Sequence, residues 1–270
     1  MFPIIFEIKY FTLHTFWLFF ALGVFATIYT AIHLSVRNGL KVAFLAEHSG
    51  KLILFSIIAA RIFSLIENYK VYFYEFSGSS FLRLFYIWDK GLNIWGALFG
   101  FILAFFLICR KKDQDFFKWL DVIVPSLIIG LAFGHLGTFF EGINYGKPSS
   151  LPWSVNFESP NIKYTVPIHP TQIYAFLYSV LTSILILLGS NWKKIKEINK
   201  SGILGLSGII IYSFFSFLEE FIRGDDTLNI IGVRISQILS LALLIFAGIV
   251  LYFHYNNKRI FKNHKKHKPN

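Results

Sequence analysis

The chain has 270 residues, of which 55% are hydrophobic and only 15% are charged, and its formal net charge at pH 7 is +11. This composition excludes an ordinary soluble domain, in which about 25% of the residues are charged. The positive charge does not indicate a nucleic-acid partner, because the cations cluster in alternate loops between apolar runs. We therefore expect an all-α polytopic membrane protein with no nucleic-acid partner.

Seven apolar runs follow one another along the chain, and a helix needs about 20 mostly apolar residues to cross a bilayer. The predicted spans are 15–36, 52–66, 94–109, 120–140, 171–192, 203–222 and 235–255. The second run is short, which predicts a tilted or partly re-entrant segment. Together the runs predict one transmembrane domain over 1–256, with outer-side loops and a basic tail over 257–270.

The lysines and arginines are distributed unequally between alternate loops. One set of loops carries 17 of them, in the segments 37–51, 110–118, 193–200 and 258–268. The opposite set carries 8, at position 9 and in the segments 70–90, 147–163 and 223–234. Because short cytoplasmic loops carry the excess of lysine and arginine, we expect the N-terminus outside and the C-terminal tail in the cytoplasm.

The end of the fourth span carries the first candidate site. His135, Thr138 and Glu141 are spaced by three residues, which places them on one helix face. Glycines that permit close backbone approach lie among them, at Gly134, Gly137 and Gly142. A titratable ring at membrane depth costs free energy, so it marks either a functional site or a hydrogen-bonded packing partner. Both interpretations of His135 remain open here.

The fifth span opens with the second cluster, His169 to Tyr174. Pro170 suits the first turn of a helix, and a simple helix start explains it together with Thr171. It does not explain His169 and Gln172 so close to Tyr174. We therefore interpret His169, Gln172 and Tyr174 as candidate site residues.

The end of the sixth span carries the third cluster. Tyr212, Ser216 and Glu220 are four residues apart and share one stripe of the helix. Arg223 follows Glu220 by three residues, so the two can pair. One interpretation is an interfacial salt bridge. The other, which we prefer, is an arginine that recognises phosphate and is oriented by the glutamate, because a guanidinium fork fits phosphate oxygens.

Three further polar residues lie within or at the start of spans. Arg61 belongs to the second span, and Arg234 and Gln237 open the seventh. Burying Arg61 is the most costly of these, and a structural partner is as good an explanation as substrate contact. The sequence has no glycine-rich nucleotide loop and no zinc-type spacing of Cys and His, so we expect neither a cofactor nor a metal.

Taken in order, several segments resemble the prolipoprotein diacylglyceryl transferase family. They are Ala-Arg at 60–61, the Trp-Asp-Lys-Gly loop at 87–92 with the glycine-rich helix start at 96–100, the glycine signature at 134–146, His-Pro-Thr-Gln-Ile-Tyr at 169–174, Glu-Phe-Ile-Arg at 220–223, and Ser-Gln-Ile-Leu-Ser at 236–240. The signature glycines fall at 134, 137, 142 and 146. The resemblance covers nearly the whole chain.

The resemblance implies an enzyme of the bacterial plasma membrane that moves diacylglyceryl from phosphatidylglycerol, or a similar anionic phospholipid, to the lipobox cysteine in a prolipoprotein signal segment. A base would make the thiolate, and cations would stabilise the departing glycerol phosphate. The catalytic residues that it implies are His135 or His169 as base, with Glu220 and Tyr212. The implied substrate-binding residues are Arg61, Gly137, Thr138, Glu141, Gly142, Gly146, Gln172, Tyr174, Arg223, Arg234 and Gln237.

The chain also departs from the family pattern at positions that the reaction uses. His135 and Ser216 stand where the family has arginine, Thr138 where it has asparagine, Trp95 where it has histidine, and Phe16 where it has tyrosine. The family's glutamate after the third signature glycine has become Ile143 or, with a slip of register, is replaced by Glu141. These departures keep a second interpretation open, a non-catalytic relative that binds phospholipid or lipoprotein signal segments.

Overall fold

The computed structural model describes residues 4–8, 11–69, 92–157, 162–191 and 201–256. This part of the chain forms seven α-helices: α1 (Thr15–Arg37), α2 (Val42–Glu67), α3 (Ile94–Lys111), α4 (Phe116–Glu141), α5 (Thr171–Asn191), α6 (Ile203–Glu219) and α7 (Ile235–Asn256). Two short antiparallel hairpins accompany them: β1 (Ile4–Ile8) with β2 (Phe11–His14), and β3 (Asn229–Ile230) with β4 (Val233–Arg234). The basic tail, the loop at 87–91 and Trp192 lie outside the described residues.

The expectation of an all-α polytopic membrane protein is confirmed. Six of the described helices are long and apolar enough to cross a membrane, and α6 is an apolar helix of 17 residues. Large apolar side chains such as Phe25 and Phe246 are 71% and 65% exposed, as side chains that face lipid are. The chain is therefore a multi-pass membrane protein.

Two predicted boundaries were wrong. The second span is not short or re-entrant, because α2 runs without a break for 26 residues from Val42. Lys51, which the sequence placed in a loop, lies in that helix with its side chain exposed, where a long aliphatic stem lets its ammonium reach the interface. The sixth helix ends at Glu219 rather than at residue 222, because the chain turns there and residues 222–224 pair with another loop.

The chain divides into two compact units, residues 1–38 with 117–270, and residues 39–116. In the described part of the second unit, α2 packs against α3. A Cβ added to Gly96 would lie 2.6 Å from the carbonyl oxygen of Ala59, and one added to Gly100 would lie 2.5 Å from the Ala59 Cβ. These two glycines let the helices approach closely, and the Asn93 side chain caps α3 by accepting from the Gly96 amide at 3.0 Å.

In the first unit, α4 packs against α1 and α6 through glycines. The Gly130 carbonyl oxygen lies 2.7 Å from a Cβ added at Gly23. The Asp121 carboxylate on α4 accepts from the amides of Gly202 and Gly205 at 2.6 and 2.8 Å, and so caps the start of α6. Helices α4 and α6 therefore run parallel from this point, and their far ends carry the candidate site.

Candidate functional site

The loop that follows α4 is held between two other segments by backbone hydrogen bonds. On one side, the Gly146 amide donates to the His169 carbonyl at 3.1 Å and the His169 amide donates to the Lys147 carbonyl at 3.0 Å. On the other side, the Lys147 amide donates to the Ile222 carbonyl at 2.8 Å and the Gly224 amide to the Tyr145 carbonyl at 2.9 Å. Three segments far apart in the sequence thus meet at one place.

This junction requires glycine at two positions. A Cβ at Gly146 would lie 2.5 Å from both the Cβ and the carbonyl oxygen of His169. A Cβ at Gly224 would lie 2.5 Å from the Gly146 carbonyl oxygen. The glycine signature identified Gly146 as a candidate site residue. Gly224 was not identified, although its position directly after Arg223 could have indicated it.

Buried polar side chains from α5 fix the same loop. Thr171 donates from its hydroxyl to the Asn144 carbonyl at 2.6 Å, and Gln172 donates from its amide to the Ile143 carbonyl at 2.7 Å. Thr171 and Gln172 are 0% and 1% exposed. Asn144 has a φ of 58°, a conformation that asparagine tolerates better than most residues. The side-chain amide of Gln172 thus holds the backbone of the loop at Ile143.

Two arginines and two carboxylates form a closed network beside this loop. Glu220 is 3% exposed and accepts from Arg223 Nη1 at 3.2 Å and from Arg234 Nε at 2.6 Å. Asp225 Oδ1 accepts from Arg223 Nε and Arg234 Nη2, both at 2.9 Å. Its Oδ2 accepts from Arg223 Nη2 at 2.5 Å. The Asn144 side-chain oxygen also accepts from Arg223 Nη2, at 2.9 Å.

The network stabilises the charge on Arg223 and holds both arginines close to a polar loop. Burial opposes the charge on Arg223, but the hydrogen bond and charge of Asp225, with the charges of Glu220 and Glu219, raise its pKa above the usual range. The Arg234 guanidinium also donates to the Asp225 carbonyl at 2.7 Å. The salt bridge that the sequence offered as one interpretation is therefore present, while phosphate recognition by Arg223 remains a prediction.

His135 and Tyr212, predicted on separate helices, contact each other. His135 Nε2 lies 3.2 Å from the Tyr212 hydroxyl, which joins α4 to α6. The Tyr178 ring of α5 packs edge-on against Tyr212 at 5.3 Å, and its hydroxyl donates to the Glu219 carboxylate at 2.8 Å. These side chains form a polar cluster inside the first unit, next to the arginine network.

The other two members of the predicted α4 face have different partners. Thr138 donates back to the His135 carbonyl at 2.9 Å, and Glu141 Oε2 lies 3.4 Å from His14 Nδ1. A cavity of about 320 Å³ lies beside that pair, lined by His14, Phe16, Trp17, Glu141 and Ile143. The three residues of this α4 face therefore lie in three different environments. His14, which the sequence analysis did not identify, becomes a further site candidate.

His169 joins a small aromatic group at the start of α5. Its Nδ1 lies 3.2 Å from the Tyr174 hydroxyl, which also accepts from Trp153 Nε1 at 2.8 Å. His169 and Tyr174 are half-buried, whereas Trp153 is 56% exposed. His169 and Tyr174, two of the candidate residues of this cluster, therefore contact each other.

The remaining predicted residues occupy more varied positions. Arg61 is 5% exposed and lies on α2, in the second unit. Gln237 is buried in the first turn of α7. Gly142 directly follows the last residue of α4 and has a φ of 74°. Gly137 faces Phe16, whose ring carbon lies 3.2 Å from a Cβ added at the glycine.

Sequence reasoning missed several residues that hold the junction together. Asn144 and Asp225 bind Arg223, and Lys147 donates from Nζ to the Phe221 carbonyl at 2.8 Å. Asp225 had a local signal, since it follows Arg223 by two residues. Asn144 and Lys147 had none, because their partners lie 79 and 74 residues away.

Comparisons with a family model and with individual proteins point to the same family. A family model described as prolipoprotein diacylglyceryl transferase matches residues 3–254. The phosphatidylglycerol–prolipoprotein diacylglyceryl transferase of Clostridium tetani is 36% identical over 174 residues, which cover 64% of this chain and 66% of that protein. The enzyme of the same name from Finegoldia magna is 31% identical over 78% of each chain. That from Prochlorococcus marinus is 27% identical over 96% of this chain and 94% of its own.

Proposed function

Since the chain belongs to the prolipoprotein diacylglyceryl transferase family, we propose that it transfers a diacylglyceryl group from phosphatidylglycerol to the lipobox cysteine of prolipoproteins. The names of its relatives support this activity. The observation that carries the proposal is the junction of residues 143–147 with 168–172 and 220–225. It places two arginines, several titratable side chains and a cavity at one end of the helices.

The reaction makes two chemical demands on such a site. The thiol must lose its proton, because the thiolate is the nucleophile, and the departing glycerol phosphate must be stabilised as negative charge develops on it. Arg223 and Arg234 are suited to the second task, because guanidinium groups bind phosphate through paired hydrogen bonds. A phosphate that binds Arg223 takes over N–H groups that now donate to Asp225, so Asp225 must move aside.

The site is placed at the outer face of a bacterial plasma membrane in this proposal. The 17 cations in one set of loops and 8 in the other support a cytoplasmic C-terminal tail and an outer N-terminus. With that orientation the ends of α4 and α6, and the loop 142–170, lie outside. Phosphatidylglycerol of the outer leaflet and the signal segment of a translocated prolipoprotein would meet there.

Transfer from a labelled lipid tests the function directly. Purified protein is incubated with phosphatidylglycerol carrying a labelled diacylglyceryl group and with a synthetic lipobox peptide that has a single cysteine. We expect the peptide to gain the mass and label of one diacylglyceryl group. A companion peptide with serine in place of the cysteine gives the background. Product no greater than that background, across several acceptor peptides, would contradict catalysis.

A specific observation favours a second function, binding of anionic phospholipid or of lipoprotein signal segments without transfer. Both carboxylates of the network already accept hydrogen bonds from the two arginines, which leaves fewer N–H groups for a phosphate. In addition, His135 and Ser216 stand where the family has arginine. Ser216 contacts Ser240 of α7 at 3.1 Å. If the protein only binds lipid, phosphatidylglycerol stays bound to it through purification, and no labelled diacylglyceryl group is transferred to the lipobox peptide.

A further inference from the structure

The cavity between the start of α1 and the end of α4 has the composition of a small-molecule site. Its volume is about 320 Å³, and Phe16, Trp17 and Ile143 give it apolar walls. His14 and Glu141 are its only titratable lining residues among those described. Ligand sites commonly combine apolar walls with a few polar groups at defined places. An alkyl thiol, small and apolar with one acidic proton, fits this chemistry.

The backbone holds His14 at the edge of this cavity. His14 ends β2, pairs with Ile4 across the hairpin, and is the residue directly before the first turn of α1. Its Nδ1 lies 3.4 Å from Glu141 Oε2, and the two side chains are 40% and 25% exposed. Pairs of this kind are often long before substrate binds and shorten in the complex.

The Glu141 carboxylate determines which nitrogen of His14 can act as a base. The carboxylate lies 3.4 Å from Nδ1 and favours the tautomer that carries its proton on that nitrogen, which leaves the lone pair of Nε2 available. Among the described residues, Nε2 of His14 has no hydrogen-bond partner. The ring can therefore receive a proton from a molecule in the cavity.

The other two candidate bases are less well placed. His135 Nε2 is engaged with the Tyr212 hydroxyl, inside the helix bundle. His169 Nδ1 is engaged with the Tyr174 hydroxyl, and no carboxylate pairs with the ring among the described residues. His14 alone of the three combines a carboxylate with a cavity. Glu141 and Ile143 are also only a few residues from Asn144, which holds Arg223.

We propose that His14, oriented by Glu141, is the base that activates the acceptor thiol, a role that rests on the transfer reaction proposed above. The thiol proton passes to His14 Nε2. The sulfur then forms a bond to the terminal glycerol carbon of the diacylglyceryl group, and the bond from that carbon to the phosphate ester oxygen breaks. Its electron pair stays on that oxygen, which leaves as glycerol phosphate, and His14 returns its proton to the departing phosphate or to water.

Removing the imidazole and adding it back tests His14 as a catalytic residue. His14→Ala should lower kcat for transfer by about 100-fold or more, the usual contribution of a general base. Free imidazole should restore part of the lost rate, because the truncated side chain enlarges an existing cavity. The matched control is His33→Ala, which removes an exposed histidine of α1 and should leave the rate unchanged. Full activity of His14→Ala would overturn the proposal.

Glu141 is a positioning residue and needs a different comparison. Glu141→Gln should lower kcat with little change in KM for the lipid, because it removes the charge that stabilises a protonated His14. Glu141→Asp should recover part of the rate, since it restores a carboxylate. Equal kcat for the native protein and Glu141→Gln would show that Glu141 has no such role.

A second readout separates this proposal from the transferase function. The alkylation rate of the lipobox peptide thiol by iodoacetamide is measured with native protein and with His14→Ala, in the absence of lipid. Faster alkylation that depends on His14 supports the base even if no diacylglyceryl is transferred. Transfer that proceeds equally in both proteins supports the function and contradicts the base. No acceleration by the native protein, together with no loss of transfer in His14→Ala, overturns it.

Discussion

Arg234 donates from Nε to the Glu220 carboxylate at 2.6 Å, an ion pair that joins the start of α7 to the end of α6. Glu220 is 3% exposed, and its other oxygen accepts from Arg223 at 3.2 Å. One buried carboxylate therefore neutralises and positions two guanidinium groups. Removing one partner of such a group leaves the others buried and uncompensated, which costs more than the pair itself contributes.

Glu220→Gln should strongly destabilise the protein. The substitution keeps the shape of the side chain but leaves Asp225 as the one remaining ion-pair partner of Arg223 and Arg234 in the described part of the chain. Breaking a buried ion pair in this way typically costs about 3–5 kcal/mol. Unfolding in detergent, followed by circular dichroism against denaturant, measures the change. Asp226→Asn, which removes an exposed partner of Lys163, is the control and should have little effect. Equal losses in both variants would mean that the network is not the cause.

Gly146→Ala should destabilise the junction, and Gly134→Ala should not. A Cβ at Gly146 meets His169 backbone and Cβ at 2.5 Å, whereas nothing lies within 4 Å of a Cβ at Gly134. Forcing a methyl group into the first position should cost about 1–3 kcal/mol. Replacing the second, a glycine within α4, should be neutral or stabilise by up to about 1 kcal/mol. Thermal unfolding of the two purified variants compares these signature glycines, and similar melting temperatures would contradict the structure.

Ile231→Asn should stabilise the β3–β4 hairpin. Ile231 is 98% exposed and has a φ of 52°, and Gly232 follows with a φ of 78°. Two residues with positive φ match the turn that favours Asn-Gly, while a β-branched residue there is strained. We expect a gain of about 1 kcal/mol in the free energy of unfolding. Leu228→Asn makes the same polar change outside the turn, so a gain in both variants would point to the loss of apolar surface instead.

Arg223→Ala should weaken retention of phosphatidylglycerol by roughly 1.5–3 kcal/mol if the arginine makes a charge-assisted hydrogen bond to the phosphate. The measurement is lipid bound per protein after titration with phosphatidylglycerol in detergent, made on the folded fraction only. Arg223→Lys keeps the charge but not the fork, so we expect intermediate binding. Arg110→Ala removes an exposed arginine at the end of α3 and serves as the control. Unchanged retention in Arg223→Ala would count against a phosphate contact.

A cysteine at Ser150 should react from outside the cell. The loop 142–170 lies on the side with fewer cations, and Ser150 is exposed. The native Cys109 is 0% exposed and gives little background, and it can also be replaced by alanine. Labelling of intact cells with a membrane-impermeant thiol reagent should modify Ser150→Cys but spare Lys111→Cys, whose position is exposed on the predicted cytoplasmic side. The reverse pattern would invert the topology.

The sequence by itself determined the class and most of the helices. Apolar runs of about 20 residues predict spans because the bilayer has a fixed thickness and leaves no water for backbone groups. The short second run was less informative about where its helix begins. The polar residues His48 and Lys51 led the sequence analysis to begin the second span at residue 52, whereas α2 begins at Val42. Local composition cannot show that a polar side chain lies at the interface.

Only the tertiary structure decided how the polar residues combine. The spacing of three that grouped His135, Thr138 and Glu141 was correct for the helix, yet each side chain has a different partner. The partners are Tyr212, a backbone carbonyl and His14, and two of these lie far away in the sequence. Helical periodicity specifies a direction on one helix. The element that lies in that direction depends on packing between helices, where close contacts at glycines such as Gly23 and Gly205 decide which side chains meet.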